Sequence, residues 1–425
     1  MSILKDKQYL MEPLFEIKEY TDVLENVKKG IPTTLTGPSE SQKAHIACAL
    51  CCHLGLKGIY IAYNEMQARR MFEDISFFFG KDAVFFPSRE IMLHDVEAKS
   101  YDSIYERISA LYRIVNDDYS FIVTSAEALC QKLIDKELFK ESIINIALGD
   151  RIDLSLFIQK LVSIGYERVT TVEGKSQFAV RGGIIDIFPA NSDTAVRIEL
   201  FDDEIDSVRS FDTMTQRSME NIEEITVLPA RELIYSLDFR DTILERISND
   251  LKEQIKKMEG KDSKNQKERL EAKISSDIER FSQEYYFAGM DRYIPYIIEK
   301  PSIITDYIES EIHTFVDEPK RFEQRLETLL AESNEMCKSF MENGQLLAGS
   351  FDIFFDCDYL REKLEKTKNT LYFSTLPSNY EQEVKRENIA SKLLNSYQGH
   401  LEILSEDISY WKKNRARVVI LSGTK

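Results

Sequence analysis

Short apolar runs alternate with longer segments of helical periodicity over the first 140 residues, and this alternation constrains the fold more than any other feature. The apolar runs lie at Ile31–Thr36, Gly58–Tyr63, Ala83–Phe86 and Phe121–Thr124. Strands that alternate with helices are typical of a parallel sheet that is covered on both faces. We therefore expect residues 1–140 to form a doubly wound α/β domain.

The pattern becomes rich in strands over residues 141–230, where it predicts one helix, Leu154–Ile164, followed by several short strands. Residues Arg197–Phe201 and Ile205–Phe211 flank an Asp-Asp-Glu turn, which indicates a β-hairpin. We interpret this region as an inserted α+β domain.

Long helices are predicted at Phe239–Met258 and Lys264–Gln283, and a strand at Ile312–Val316 could rejoin the first sheet. We assign residues 231–345 to a segment that completes the first domain. Residues 346–425 are predicted to form a partial third α/β domain, with strands at Thr370–Ser374 and Val418–Leu421. Because the sequence stops just after an apolar strand, we expect the chain to be cut inside this last domain.

The charge balance argues against general binding of nucleic acid. The 425 residues include 73 acidic and 55 basic side chains, which gives a formal net charge of -18. Non-specific affinity for DNA comes mainly from basic groups that neutralise phosphates. The sequence also has no apolar segment of membrane-spanning length and no cysteine spacing typical of zinc, so we expect a cytoplasmic chain without a metal site.

The turn that follows the first predicted strand resembles a phosphate loop with two of its fixed residues replaced. The segment reads Gly37-Pro38-Ser39-Glu40-Ser41-Gln42-Lys43-Ala44, whereas a working loop follows the pattern G-x-x-x-x-G-K-[ST]. Gln42 replaces the glycine that lets backbone N–H groups approach the phosphates, and Ala44 replaces the hydroxyl that binds Mg²⁺. The segment therefore predicts a degenerate nucleotide loop, formed by Gly37, Gln42, Lys43 and Ala44. We expect this chain to hold neither ATP nor magnesium.

Two alternatives stay open for this loop. It could be an ordinary turn from strand to helix, with Lys43 solvated at the start of the helix. It could also be an active nucleotide site, although both replacements argue against that.

A second feature that resembles part of a nucleotide site is Asp317-Glu318, which follows an apolar strand and would suit a degenerate metal-binding acid pair. Taken alone, the two acids before Pro319 are better explained as a helix N-terminus.

Several longer motifs resemble the transcription-repair coupling factor (Mfd) family, whose N-terminal module is similar to the excision-repair helicase UvrB. The most specific of these are Arg181-Gly182-Gly183-Ile184-Ile185-Asp186-Ile187-Phe188-Pro189 and Phe201-Asp202-Asp203-Glu204-Ile205-Asp206-Ser207. Leu14-Phe15-Glu16 and Phe85-Phe86-Pro87-Ser88-Arg89-Glu90 add to the likeness. The resemblance implies a helicase-like core of the P-loop NTPase type that carries an inserted UvrA-binding domain.

The family's proteins bind stalled RNA polymerase, displace it with an ATP-driven translocase that runs on double-stranded DNA, and recruit UvrA. The resemblance places the translocase motor and the polymerase-binding domain beyond this sequence, so ATP and magnesium would belong to the absent motor. The segment Phe86–Asp102 is also too short for the DNA-clamping hairpin of UvrB.

The resemblance implies that Arg181, Arg197 and Phe201 bind UvrA. Strand parity supports part of this assignment, because Arg197 and Phe201 share one face of their strand while Ile198 and Leu200 share the other. An aromatic residue beside arginine on a polar face is typical of an interface hot spot. The alternative is that Phe201 folds over a local apolar patch and Arg197 pairs with Glu199 or Asp203.

Together these observations favour a non-catalytic module that docks UvrA, with no catalytic residues of its own. The competing hypothesis is an active, UvrB-like ATPase or helicase that depends on DNA.

Overall fold

The computed structural model describes residues 5–93, 102–258, 263–283, 286–367, 369–375, 384–391, 397, 399–418 and 420. The chain divides into two compact units, residues 1–389 and residues 390–425. Within the described ranges, no helix combines the length and apolar character that crossing a membrane requires.

The described residues form fifteen strands and thirteen α-helices. The strands are β1 (Thr33–Thr36), β2 (Lys57–Ala62), β3 (Ala83–Phe86), β4 (Phe121–Ser125), β5 (Ile144–Ala147), β6 (Glu167–Arg168), β7 (Gln177–Arg181), β8 (Ile184–Phe188), β9 (Ala195–Phe201), β10 (Glu204–Phe211), β11 (Ser218–Asn221), β12 (Glu224–Val227), β13 (Ile312–Asp317), β14 (Thr370–Ser374) and β15 (Lys385–Asn388). The helices are α1 (Lys18–Lys28), α2 (Glu40–Leu54), α3 (Glu65–Phe79), α4 (Asp102–Val115), α5 (Ala126–Leu129), α6 (Lys136–Ser142), α7 (Leu154–Ser163), α8 (Leu237–Lys257), α9 (Ser263–Gln283), α10 (Ile294–Ile297), α11 (Pro319–Glu342), α12 (Cys357–Glu365) and α13 (Leu401–Lys413).

Seven parallel strands form the larger sheet, in the order β15-β1-β14-β13-β2-β4-β3. Alternate residues of β2 enter two different apolar cores, with Ile59 and Ile61 in one and Tyr60 in the other. Both faces of the sheet are therefore covered, as expected for parallel strands that read as continuous apolar runs. The predicted fold class is confirmed.

A second sheet of six strands forms the inserted domain, in the order β11-β10-β9-β8-β7-β6. Helix α7 packs against one face of this sheet, where Phe157 and Leu161 share a core with Ile185 and Ile198. Strands β5 and β12 pair antiparallel and bring the entry and exit of the domain together. The predicted hairpin is present as β9 and β10, and Asp202 adopts a positive φ of 58° in its turn.

The strand at Thr370–Ser374 needs a correction. The sequence analysis assigned it to a separate third domain, but it lies inside the larger sheet as β14, between β1 and β13. All five of its residues are buried, and a strand buried on both faces is stabilised best at an internal position of a sheet. The strand predicted at Val418–Leu421 falls partly outside the described residues, and Val418 itself is not in a strand.

Candidate functional site

The loop that resembles a phosphate loop connects β1 to α2, where such a loop belongs. Gly37 has a φ of +93°, and Ser39 stands at the N-cap of α2. The backbone N–H of Ser39 donates to Oε1 of Gln42 at 2.8 Å. The residue that replaces the second glycine therefore uses its side chain to cap the helix, instead of leaving backbone N–H groups open to an anion.

Lys43 is completely buried, and three carboxylates of the same chain surround its ammonium group. Its Nζ lies 2.8 Å from Oδ1 of Asp317, 3.0 Å from Oε1 of Glu318 and 3.1 Å from Oε1 of Glu40. A lysine ammonium has three N–H donors, so these contacts account for all of them. The alternative in which Lys43 is solvated is wrong.

The carboxylates control the protonation of this buried lysine. Burial alone would lower the pKa of Lys43, but the negative charges of Asp317, Glu318 and Glu40 outweigh it and raise that pKa above its usual value. Burial also raises the pKa of Asp317 to about 6, although the Lys43 charge opposes the change. The two directions are compatible because the three carboxylates share one cation.

Glu318 is held in an unusual backbone conformation beside Asp317. Its φ is 44° and its ψ is 67°, a left-handed conformation that costs a non-glycine residue about 1–3 kcal/mol. Its Oε1 also accepts the backbone N–H of Thr375 at 2.8 Å, and its side chain makes no capping bond to α11. The predicted helix N-terminus is confirmed, because α11 begins at Pro319 with Glu318 at its N-cap position. The carboxylates of Asp317 and Glu318 nevertheless accept from Lys43.

The segment that follows β15 lies directly against the start of the loop. A Cβ atom placed on Gly37 would clash with the carbonyl oxygen of Ile389 and with Oδ1 of Asn388, the last residue of β15. Ala44, where a hydroxyl would bind magnesium, is also fully buried. These residues do not fit a magnesium triphosphate, because the lysine is already paired and the loop offers neither the second glycine nor the hydroxyl.

The second candidate site is the face of the inserted sheet that points away from α7. Phe201, at the end of β9, is 79% exposed, and Ile184 on β8 is 39% exposed. The side chain of Arg181, at the end of β7, is 54% exposed. The strand parity predicted for β9 is confirmed, because Ile198 is fully buried in the core on the other face. The alternative in which Phe201 covers a local patch is wrong.

Arg197 shares this face but is largely engaged within the domain. Its Nε and Nη2 donate to the two carboxylate oxygens of Asp186 at 2.7 and 2.9 Å, so its partner is neither Glu199 nor Asp203. Asp186 is only 2% exposed and lies directly opposite Arg197 in the β8–β9 register. Sequence reasoning missed Asp186, although a lone acid between Ile185 and Ile187 was a usable signal.

Comparison with known protein families shows what the inserted domain is similar to. Residues 144–233 match the family model of the UvrB interaction domain, which covers the six-stranded sheet and α7. The chain therefore has a seven-stranded parallel sheet into which a domain that matches the UvrB interaction model is inserted.

The curated relatives are more specific. The chain is 29% identical over 420 residues to the transcription-repair-coupling factor of Bacillus subtilis (strain 168), with 96% of this chain and 35% of the relative covered. It is 28% identical over 403 residues to the protein of the same name from Staphylococcus aureus (strain bovine RF122 / ET3-1), with 92% and 33% covered. The resemblance to transcription-repair coupling factors is thus confirmed, and the chain spans about a third of the length of these relatives.

Proposed function

We propose that this chain is a non-catalytic module that docks UvrA and thereby links transcription-coupled repair to nucleotide excision repair. The observation that carries the proposal is the exposed Phe201, 79% accessible, on the same sheet face as the half-exposed Arg181, in a domain that matches the UvrB interaction model. An aromatic anchor next to arginine is the composition that dominates binding energy in protein interfaces.

Phe201 would enter an apolar pocket of UvrA, and Arg181 would pair with a carboxylate at the rim of that pocket. Arg197 belongs to the same face of the sheet. The net charge of -18 suits this function, because arginines on an acidic chain steer it to a specific acidic patch without attracting DNA in general.

The nucleotide loop supports docking over catalysis. Lys43 is paired with three carboxylates, and a phosphate would have to displace them to reach its ammonium group. Displacement of polymerase and translocation on double-stranded DNA would belong to the rest of a longer protein, in which other domains bind ATP and magnesium.

The test is the affinity of the chain for purified UvrA, measured by biolayer interferometry with a Phe201→Ala variant. We expect a loss of about 2 kcal/mol or more, or about 30-fold in Kd, with no change in thermal stability because the side chain is exposed. Leu156→Ala is the matched control: Leu156 is 63% exposed, but it lies on α7, which packs against the opposite face of the sheet. Equal affinities for all three proteins, or no binding by the wild type, would contradict the proposal.

A further inference from the structure

One buried carboxylate is shared by the two arginines of the docking face. Asp186 accepts two hydrogen bonds from Arg197, at 2.7 and 2.9 Å. Its Oδ2 atom also lies 3.5 Å from Nη2 of Arg181. Asp186 is 2% exposed, and a carboxylate with so little access to water is strongly unfavourable without a cation beside it.

The two arginines differ in how much of each guanidinium is left for a partner. Besides its two bonds to Asp186, Arg197 donates Nη1 to the carbonyl oxygen of Gln216 at 3.3 Å, and its guanidinium carbon lies 4.9 Å from the centre of the Phe211 ring. All three of its nitrogens are engaged, and its side chain is only 16% exposed. Arg181 makes one longer ion pair and keeps 54% of its side chain exposed.

We propose that Arg197 is a positioning residue for docking and that Arg181 makes the contact with the partner. Arg197 neutralises Asp186 in a fixed, bidentate geometry, which leaves Arg181 only weakly held and available to a carboxylate of the partner. Without Arg197, Asp186 would retain Arg181 as its nearby cation and would draw it down onto the sheet. This inference rests on the proposed docking of UvrA and assigns separate roles to residues of that one surface.

The neighbouring acid on the face does not replace Asp186 in this role. Glu199 accepts a hydrogen bond from the hydroxyl of Ser207 at 3.0 Å and lies 3.9 Å from Nη1 of Arg209. Its side chain is 34% exposed, so water also solvates its charge. Asp186 is buried instead, so its charge depends on a neighbouring arginine.

The experiment compares single and double substitutions in binding to purified UvrA. Arg197→Leu should weaken binding by about tenfold or more, because Asp186 captures Arg181. The double variant Asp186→Leu/Arg197→Leu removes both members of the buried pair, a change that proteins often tolerate. It should bind within about threefold of the wild type, since Arg181 is again available.

Adding Arg181→Ala to the double variant should abolish the recovered affinity, which a purely structural effect of Arg197 would not predict. If instead the double variant is folded by circular dichroism but stays as weak as Arg197→Leu, then Arg197 contacts the partner directly and the inference is overturned. The pair Asp186→Asn/Arg197→Gln keeps both positions polar and gives the same comparison if the leucine variants do not fold. Failure of the wild type to bind UvrA would instead contradict the proposed function.

Discussion

Replacement of Lys43 by methionine tests whether the ion pairs of the loop between β1 and α2 stabilise the fold. Lys43 and Asp317 have fully buried side chains, and the side chain of Glu318 is 10% exposed. Methionine keeps the length of the side chain but removes the cation, so two carboxylates remain buried without a counter-charge. Breaking a buried ion pair in this way costs about 3–5 kcal/mol. The third pair adds about 0–1 kcal/mol, because the Glu40 side chain is 55% exposed.

The loss should depend on pH, and its sign follows from Asp317. The pKa of this carboxyl is about 6 in the folded chain, above its usual value of 3.8, so the folded state binds the proton more tightly than the unfolded state. The free energy of unfolding therefore falls as pH rises from about 4 to about 6. Without Lys43 the pKa rises further, and the fall continues above pH 6 by up to about 1.4 kcal/mol per pH unit. The deficit of Lys43→Met should be larger at pH 8 than at pH 5.

Urea unfolding followed by far-ultraviolet circular dichroism measures this difference. Tryptophan fluorescence is unsuitable, because the single tryptophan, Trp411, lies in the unit of residues 390–425. Lys29→Met is the control, since Lys29 and its partner Glu25 have side chains that are 58% and 64% exposed, and its loss should stay below about 1 kcal/mol. A deficit below about 1 kcal/mol for Lys43→Met at pH 8, or the same deficit at both pH values, would refute the reasoning.

Two further predictions concern the core and the nucleotide. Arg107→Met should lower the free energy of unfolding by about 3–5 kcal/mol in the same urea assay. The reason is that Arg107 is fully buried and donates to both oxygens of Glu232 at 2.7 and 2.9 Å. A loss below about 1 kcal/mol would mean that the pair is dispensable. Magnesium ATP at 1 mM should leave the thermal midpoint unchanged, whereas a site with a Kd of about 10 µM would add about 2.7 kcal/mol of stability. A clear upward shift would therefore show that Lys43 can exchange its carboxylates for phosphate.

Local patterns in the sequence were sufficient for most elements of the fold. Apolar runs predicted β1 to β4 and the later strand β13, and helical periodicity predicted α8 and α9 to within a few residues. The position of β14 in the sheet could not be predicted from the sequence, because its place between β1 and β13 depends on packing against β1, some 340 residues earlier in the chain. Strand order in a sheet follows from tertiary contacts, which periodicity does not encode.

The candidate sites likewise combine features that the sequence predicts with features that it does not. The defects at Gln42 and Ala44 are visible in a short motif, but the partners of Lys43 lie 274 and 275 residues further along the chain. A solvated lysine stayed open as an alternative in the sequence, because nothing local indicates a buried counter-charge. Asp186 gave a local signal as a lone acid between two isoleucines, but its pairing with Arg197 belongs to the β8–β9 register, which the predicted β9–β10 hairpin does not fix. Its importance became clear only once its burial was known.

The Lys43 cluster has a consequence for how the docking face is presented. In a working nucleotide site, the lysine after the first strand and the acids after a later strand converge on a ligand. Here they converge on each other. Ion pairs of 2.8 and 3.0 Å therefore join α2, which precedes the inserted domain in the sequence, to the end of β13, which follows it. If nucleotide bound between these groups instead, we would expect the part of the fold that carries the inserted domain to change each time nucleotide bound or dissociated. Because this core closes on its own charges, we expect the inserted domain to keep the same framework with or without nucleotide.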